Sequence, residues 1–141
     1  MTIRVFLLDD HEVVRRGVRE LLEVDSQGEI EVVGEAGTAD EALRRLPAVR
    51  PDVAVLDVRL PDGDGVEVCR EIRSNHPEVR CLMLTSFADD EALFDAIMAG
   101  AAGYVLKQVR GSDLVDSVRR APAAQARLDP HATATRRARP P

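Results

Sequence analysis

Five short apolar runs, each followed by a stretch whose apolar residues recur at helical spacing, constrain this chain more than any other feature. Ile3-Arg4-Val5-Phe6-Leu7-Leu8 stops at Asp9-Asp10, and Val13, Val14, Val18, Leu21 and Leu22 then mark a helix that ends at Gln27-Gly28. Glu31 to Ala36 is a second strand, and Thr38 with Glu41 three residues on forms a capping box for a helix with Ala42, Leu43 and Leu46 inward. A third strand, Asp52 to Asp57, closes the run Val53-Ala54-Val55-Leu56 on a carboxylate. A loop through Pro61, Gly63 and Gly65 leads to a helix with Val66, Cys69 and Ile72 inward. Cys81-Leu82-Met83-Leu84 ends at Thr85-Ser86, and Asp89, Asp90 and Glu91 place negative charge on the first turn of the next helix. Gly103 to Lys107 is the fifth strand, and Gly111-Ser112 opens a last helix with Leu114, Val115 and Val118.

Strict alternation of strand and helix predicts an α/β fold, a parallel sheet covered by helices on both faces. The common five-stranded doubly wound order is 2-1-3-4-5. One domain over residues 1–120 is expected. Residues 121–141, rich in Ala, Pro and Arg without an apolar stripe, read as a flexible tail or shortened linker. Residues 1–120 carry a net charge of −9 and residues 121–141 a net of +3, so the body is a poor nucleic-acid binder by charge alone. No apolar run approaches the roughly 18 residues of a membrane span, and Met1-Thr2-Ile3-Arg4 enters a strand directly. Cys69 and Cys81 fall inside predicted elements and read as buried thiols. These features point to a cytoplasmic protein without a membrane partner.

In the 2-1-3-4-5 order the first and third strands are neighbours at the switch point, where ligands bind. Asp9 and Asp10 then lie beside Asp57, with Thr85 and Lys107 next along the carboxyl rim. Three crowded carboxylates repel unless a cation compensates. Mg2+, a hard ion that takes a few carboxylates and keeps waters, suits them, with Asp10 and Asp57 as direct ligands and Asp9 beside them. Such an ion lets a carboxylate attack a phosphoryl donor. Lys107 is the only lysine among nineteen basic residues, and a slender ammonium fits a crowded phosphate pocket better than a guanidinium fork. The hydroxyl of Thr85 can bond another phosphoryl oxygen. His11, His76 and His131 are far apart without ligand spacing and are not expected to bind metal; Asp62 and Asp64 read as solvated turn residues.

At these residues the chain resembles the receiver domain of two-component response regulators, of the NarL/FixJ family and its DevR (DosR) type, over about residues 3–120. The resemblance is carried by Val5 through Gly17, Val33 through Gly37, Arg50 through Gly63, Leu84-Thr85-Ser86 and Ala99 through Tyr104. It implies a flavodoxin-like fold with Asp57 as the phosphorylated aspartate. Asp9 and Asp10 become the acidic Mg2+ pair, and the backbone carbonyl of Arg59 a further metal ligand. Thr85 and Lys107 match the phosphate-sensing pair, and Tyr104 the aromatic whose rotamer couples to Thr85. A sensor histidine kinase is the implied donor, and the receiver catalyses only its own phosphorylation and dephosphorylation. Activation changes the face of the fourth helix, fifth strand and fifth helix, with a homodimer as one outcome.

The chain departs from that pattern in two places. Gln108 follows Lys107 where many receivers have proline, which puts the loop there in question. NarL/FixJ regulators usually continue into a helix-turn-helix domain, and residues 121–141 do not contain one, so specific DNA binding is not expected from this chain alone. Two alternatives use the same fold. An aspartyl-nucleophile phosphatase resembling the haloacid dehalogenases needs a second aspartate where this chain has Arg59. A flavin-binding module needs a hydroxyl- and glycine-rich phosphate loop where this chain has Asp9-Asp10-His11-Glu12.

Overall fold

The computed structural model describes residues 2–85, 95, 99–106 and 111–128; the side chains at 85, 106, 111–112 and 122–128 lie outside that description. The sheet is built from β1 (Ile3–Leu8), β2 (Ile30–Ala36), β3 (Val53–Asp57), β6 (Arg80–Thr85) and β7 (Gly103–Leu106), in the spatial order β2-β1-β3-β6-β7. Every pairing in it is parallel. Taken in sequence order, these five strands stand as 2-1-3-4-5, the doubly wound order that the alternation predicts. A register shift between Val5 and Phe6 irregularly offsets β1 against β2.

Alternation along the strands divides the core into two. Phe6, Leu8, Ala54, Leu56, Cys81 and Met83 face one side, where Leu46 of α2 (Ala39–Val49) and Cys69 and Ile72 of α3 (Gly65–Asn75) cover them. Val5, Leu7, Val53, Val55, Leu82 and Leu84 face the other, under Leu22 of α1 (Glu12–Asp25) and Leu114, Val115 and Val118 of the helix Gly111–Leu128. A parallel sheet is stable when both of its faces are covered, which explains why its strands are apolar almost without break. That last helix continues past Arg120 to Leu128, further than its apolar pattern does. The helix expected over Asp89 to Met98 lies outside the described residues except at Asp95. Cys69 and Cys81 are free and fully buried, as their placement within elements implies. The Cys81 thiol is pushed well up by its hydrogen bond with Cys69 and by burial.

The helix ends follow local chemistry. The hydroxyl of Thr38 accepts from Glu41 N at 3.1 Å, as the capping box requires. The carboxylate of Glu41 reaches one residue further back than the motif predicts, accepting from Gly37 N at 2.8 Å. The loop after β3 contains a small antiparallel hairpin, β4 (Arg59–Leu60) with β5 (Gly63–Asp64), which its Pro and Gly residues did not reveal as strand. Among the described residues no helix is long and apolar enough to cross a membrane.

Candidate functional site

The site begins with strand register. Leu8 of β1 stands opposite Leu56 of β3, so the residues that follow, Asp9 and Asp57, leave the sheet side by side. Asp57 itself pairs with Leu84 of β6, which places Thr85 at the next position along the rim. Asp9 and Asp57 are only 4% and 5% exposed, while Asp10 and His11 stand at the surface. One ligand atom from each of Asp9, Asp10, His11 and Asp57 can be chosen so that all lie within 4.8 Å of one another. Two donors on opposite sides of an ion with bonds of about 2.1 Å stand about 4.2 Å apart, so this set has the size of a single divalent cation shell. Three carboxylates whose oxygens converge repel one another, and a hard cation relieves that repulsion. The donor set therefore fits a divalent metal ion.

Backbone and guanidinium contacts hold these acids in place. Asp9 N donates to Ala36 O at 3.1 Å, and Asp9 Oδ1 accepts from His11 N at 2.9 Å. Arg15 of α1 donates from Nη1 to the Asp9 carbonyl at 2.6 Å and from Nε to Glu35 Oε1 at 3.1 Å. Arg19 extends this chain of contacts, donating to Glu35 Oε2 at 2.7 Å and pairing with Glu23 at 3.4 Å. Its guanidinium is raised above its usual value, chiefly by the hydrogen bond with Glu35.

Beneath Asp57 the space is closed. A Cβ built on Gly65 would stand 1.8 Å from the Asp57 carbonyl oxygen, and Gly65 N donates to Val58 O at 2.7 Å. Only glycine permits α3 to start this close to the end of β3. The hairpin between them is tied down by Asp62 and Asp64, which are exposed at the turn as the sequence predicts and also cap helices. Asp62 accepts from Ala39 N at 2.8 Å and from Asp40 N at 3.1 Å, capping α2 from a distant loop. These two N–H groups hold the Asp62 carboxyl below its usual value. Asp64 caps α3, accepting from Val66 N at 2.6 Å.

The structure thus brings together Asp9, Asp10 and Asp57, and sets Arg59 in the adjoining hairpin as an exposed residue. Thr85 occupies the expected rim position by its backbone, and its side chain lies outside the described residues. Tyr104 in β7 pairs in register with Met83 and is half-buried against the core. Lys107 and the Lys107–Gln108 peptide lie outside the described residues; β7 ends at Leu106. The spacing to His76 and His131 does not mark His11 as a ligand, but His11 lies with Asp9, Asp10 and Asp57 in a group whose ligand atoms could hold a metal ion. The adjacency Asp9-Asp10-His11 was the available signal.

Comparison with known proteins agrees with this architecture. The chain is 56% identical over 132 residues to the DNA-binding transcriptional activator DevR/DosR of Mycobacterium tuberculosis, covering 94% of this chain and 60% of that protein. It is 38% identical over 130 residues to the response regulator protein VraR of Staphylococcus aureus, covering 92% of this chain and 61% of that protein. It therefore spans about three-fifths of the length of these relatives. The signal receiver domain of a Mycobacterium tuberculosis protein designated NarL superposes with a TM-score of 0.80 at 35% identity, over 89% of this chain and 98% of that one. Residues 5–119 match the family model described as the response regulator receiver domain, and the chain belongs to that family.

Proposed function

We propose that this chain is a phosphorylation-dependent switch in which Asp57 accepts a phosphoryl group from the phosphohistidine of a sensor histidine kinase. The single observation that carries this reading is the convergence of Asp9, Asp10 and Asp57 at the carboxyl rim of a parallel sheet. A carboxylate oxygen of Asp57 forms the new bond to phosphorus, the phosphorus–nitrogen bond of the donor breaks, and its electron pair leaves with the imidazole. The carboxylates of Asp9, Asp10 and Asp57 and the carbonyl of Arg59 would hold Mg2+, which would neutralise charge on acceptor and donor. Register and the tight packing on Gly65 hold the backbone of Asp57 at the rim, which limits the rearrangement needed before attack.

The remaining roles follow the family resemblance. Lys107 holds one phosphoryl oxygen as a point charge, and the Thr85 hydroxyl bonds another. Movement of Thr85 lets Tyr104, half-buried beside Met83, turn inward. The face of the helix expected over Asp89 to Met98, of β7 and of the Gly111–Leu128 helix then changes, with homodimerisation as one outcome. The receiver catalyses its own phosphorylation and, with water as acceptor, its own dephosphorylation. Its setting is the cytoplasm, and its likeness to a transcriptional activator supports a place in transcriptional control. Specific DNA binding is not part of the role proposed for this chain alone.

Incubation with Mg2+ and a small phosphodonor should add one phosphoryl group per chain, read by intact-protein mass spectrometry. Asp57→Asn should take up none. Undiminished labelling of Asp57→Asn would overturn the assignment.

A further inference from the structure

We propose that the imidazole of His11 is a further donor to the cation site, making it a mixed nitrogen–oxygen centre whose preference for first-row transition ions over Mg2+ is set by His11. The inference rests on the reading above that the rim acids hold a divalent cation. Three observations support it. A ring nitrogen of His11 belongs to the set of ligand atoms that lie within 4.8 Å of one another, together with Asp9, Asp10 and Asp57. The backbone there is extended (φ −93°, ψ 104°) at the N-cap of α1, yet the side chain makes no capping hydrogen bond. The side chains that cap a helix from that position, chiefly Ser, Thr, Asp and Asn, turn an oxygen onto the helix end. Here Nδ1 instead stands 3.0 Å from Asp10 Oδ1 and 3.3 Å from Asp9 Oδ1. Finally, His11 N donates to Asp9 Oδ1 at 2.9 Å, which fixes the His11 backbone to one of the acids it would share an ion with.

The ring approaches from the solvent side, with its side chain 65% exposed. That is the side on which an ion held by a few carboxylates keeps its waters. Replacing one water by imidazole does little for Mg2+, which prefers oxygen. It favours Mn2+, Co2+ or Zn2+, for which imidazole is a good ligand. The competing account is that the ring only donates a hydrogen bond to the two carboxylates. In that case its loss loosens the acids and weakens every cation alike.

The test uses the full chain and His11→Gln. The two proteins are titrated with Mg2+ and with Co2+ by calorimetry, and loaded with Mn2+ for pulsed electron paramagnetic resonance. The wild type should show an imidazole nitrogen coupled to Mn2+, absent from His11→Gln. Co2+ affinity should fall about tenfold or more in the variant, the scale on which altered ligand shells act. Mg2+ affinity should hold within roughly twofold. Circular dichroism matching the wild type confirms that the exposed substitution leaves the fold intact. Mg2+ binding without nitrogen coupling, or equal losses for both ions, overturns the role of His11 and leaves the proposed function standing. A wild-type chain that binds neither ion removes both readings.

Discussion

Two regions of this molecule crowd carboxylates, and they do so differently. On the α1–β2–α2 side, Glu23, Glu35 and Glu41 are each met by a guanidinium: Arg19 at 3.4 Å and 2.7 Å from the first two, Arg15 at 3.1 Å from Glu35, and Arg45 at 3.0 Å from Glu41. The charges are spread over a surface and matched by the chain itself. At the strand rim, Asp9, Asp10 and Asp57 aim their oxygens at one point. Matched pairs hold elements together; converged acids make a place for a small cation. The two regions touch through Arg15, which bonds Glu35 with one nitrogen and the Asp9 carbonyl with another. The paired region thus acts as the frame of the converged one.

The largest expected effect comes from breaking the rim itself. Gly65→Ala puts a methyl group where the Asp57 carbonyl oxygen stands, with 1.8 Å between the atoms. Backbone must move. The strain should cost about 1–3 kcal/mol of stability. Labelling of Asp57 should slow on the order of a hundredfold, because displacement by about an ångström removes the orientation on which attack depends. Urea unfolding and phosphodonor labelling read the two effects separately. Unchanged labelling would show that the rim tolerates movement that the paired region would not.

Arg15→Ala tests whether frame and site are joined. Arg15 and Glu35 are only 19% and 24% exposed by side chain, so the pair is screened less than a surface pair. Its loss should cost about 1.5–3 kcal/mol, the range of hydrogen bonds to charged groups. It should also slow labelling, since the Asp9 carbonyl loses its anchor. Arg44→Ala is the control: its pair with Asp40, 2.9 Å long, is exposed on α2, and among the described residues Arg44 has no hydrogen bond or ion pair with Asp9, Asp10 or Asp57. That change should cost about 0.3–0.5 kcal/mol and leave labelling as it was. Equal labelling by the two variants would separate the regions that the structure joins.

The rim was legible in the sequence because strand register does most of its construction. A parallel sheet in the order 2-1-3-4-5 aligns the ends of the first and third strands, and residues that follow an apolar run are then neighbours without any side-chain information. Asp9, Asp10 and Asp57 follow from that alone. What side-chain direction decides was not legible. Whether His11 caps α1 or turns to the acids depends on rotamer and on the extended backbone before the helix. Asp62 illustrates a second blind spot. Its partners, Ala39 and Asp40, lie more than twenty residues earlier, and only the folded loop brings a turn acid to the start of α2. The hairpin β4–β5 is hidden for a related reason: two-residue strands carry no period to read.

Asp62 also offers a third way to place a carboxylate, satisfied by backbone N–H groups rather than by arginine or by a cation, and it predicts the smallest effect. Its carboxyl is held below the usual value by the Ala39 and then the Asp40 N–H groups. A depressed folded value means that the ionised form is favoured by folding. The contribution is therefore complete above the unfolded carboxylate value of about 3.9 and is lost as pH falls through the lower folded value. Other carboxylates titrate in the same window, but comparing the wild type with Asp62→Ala at each pH cancels those distant enough to be independent. The difference between their urea midpoints should be full near about pH 6 and narrow as the solution is acidified below the ordinary carboxylate range. Because Asp62 lies at the surface, the gap should also shrink in high salt, as the attraction between its charge and the α2 N-terminus is screened. A gap constant with pH would mean that the hairpin is held by its shape and not by the charge of Asp62. Arg59 would then owe its place beside the rim to Gly65 and the β4–β5 pairing alone.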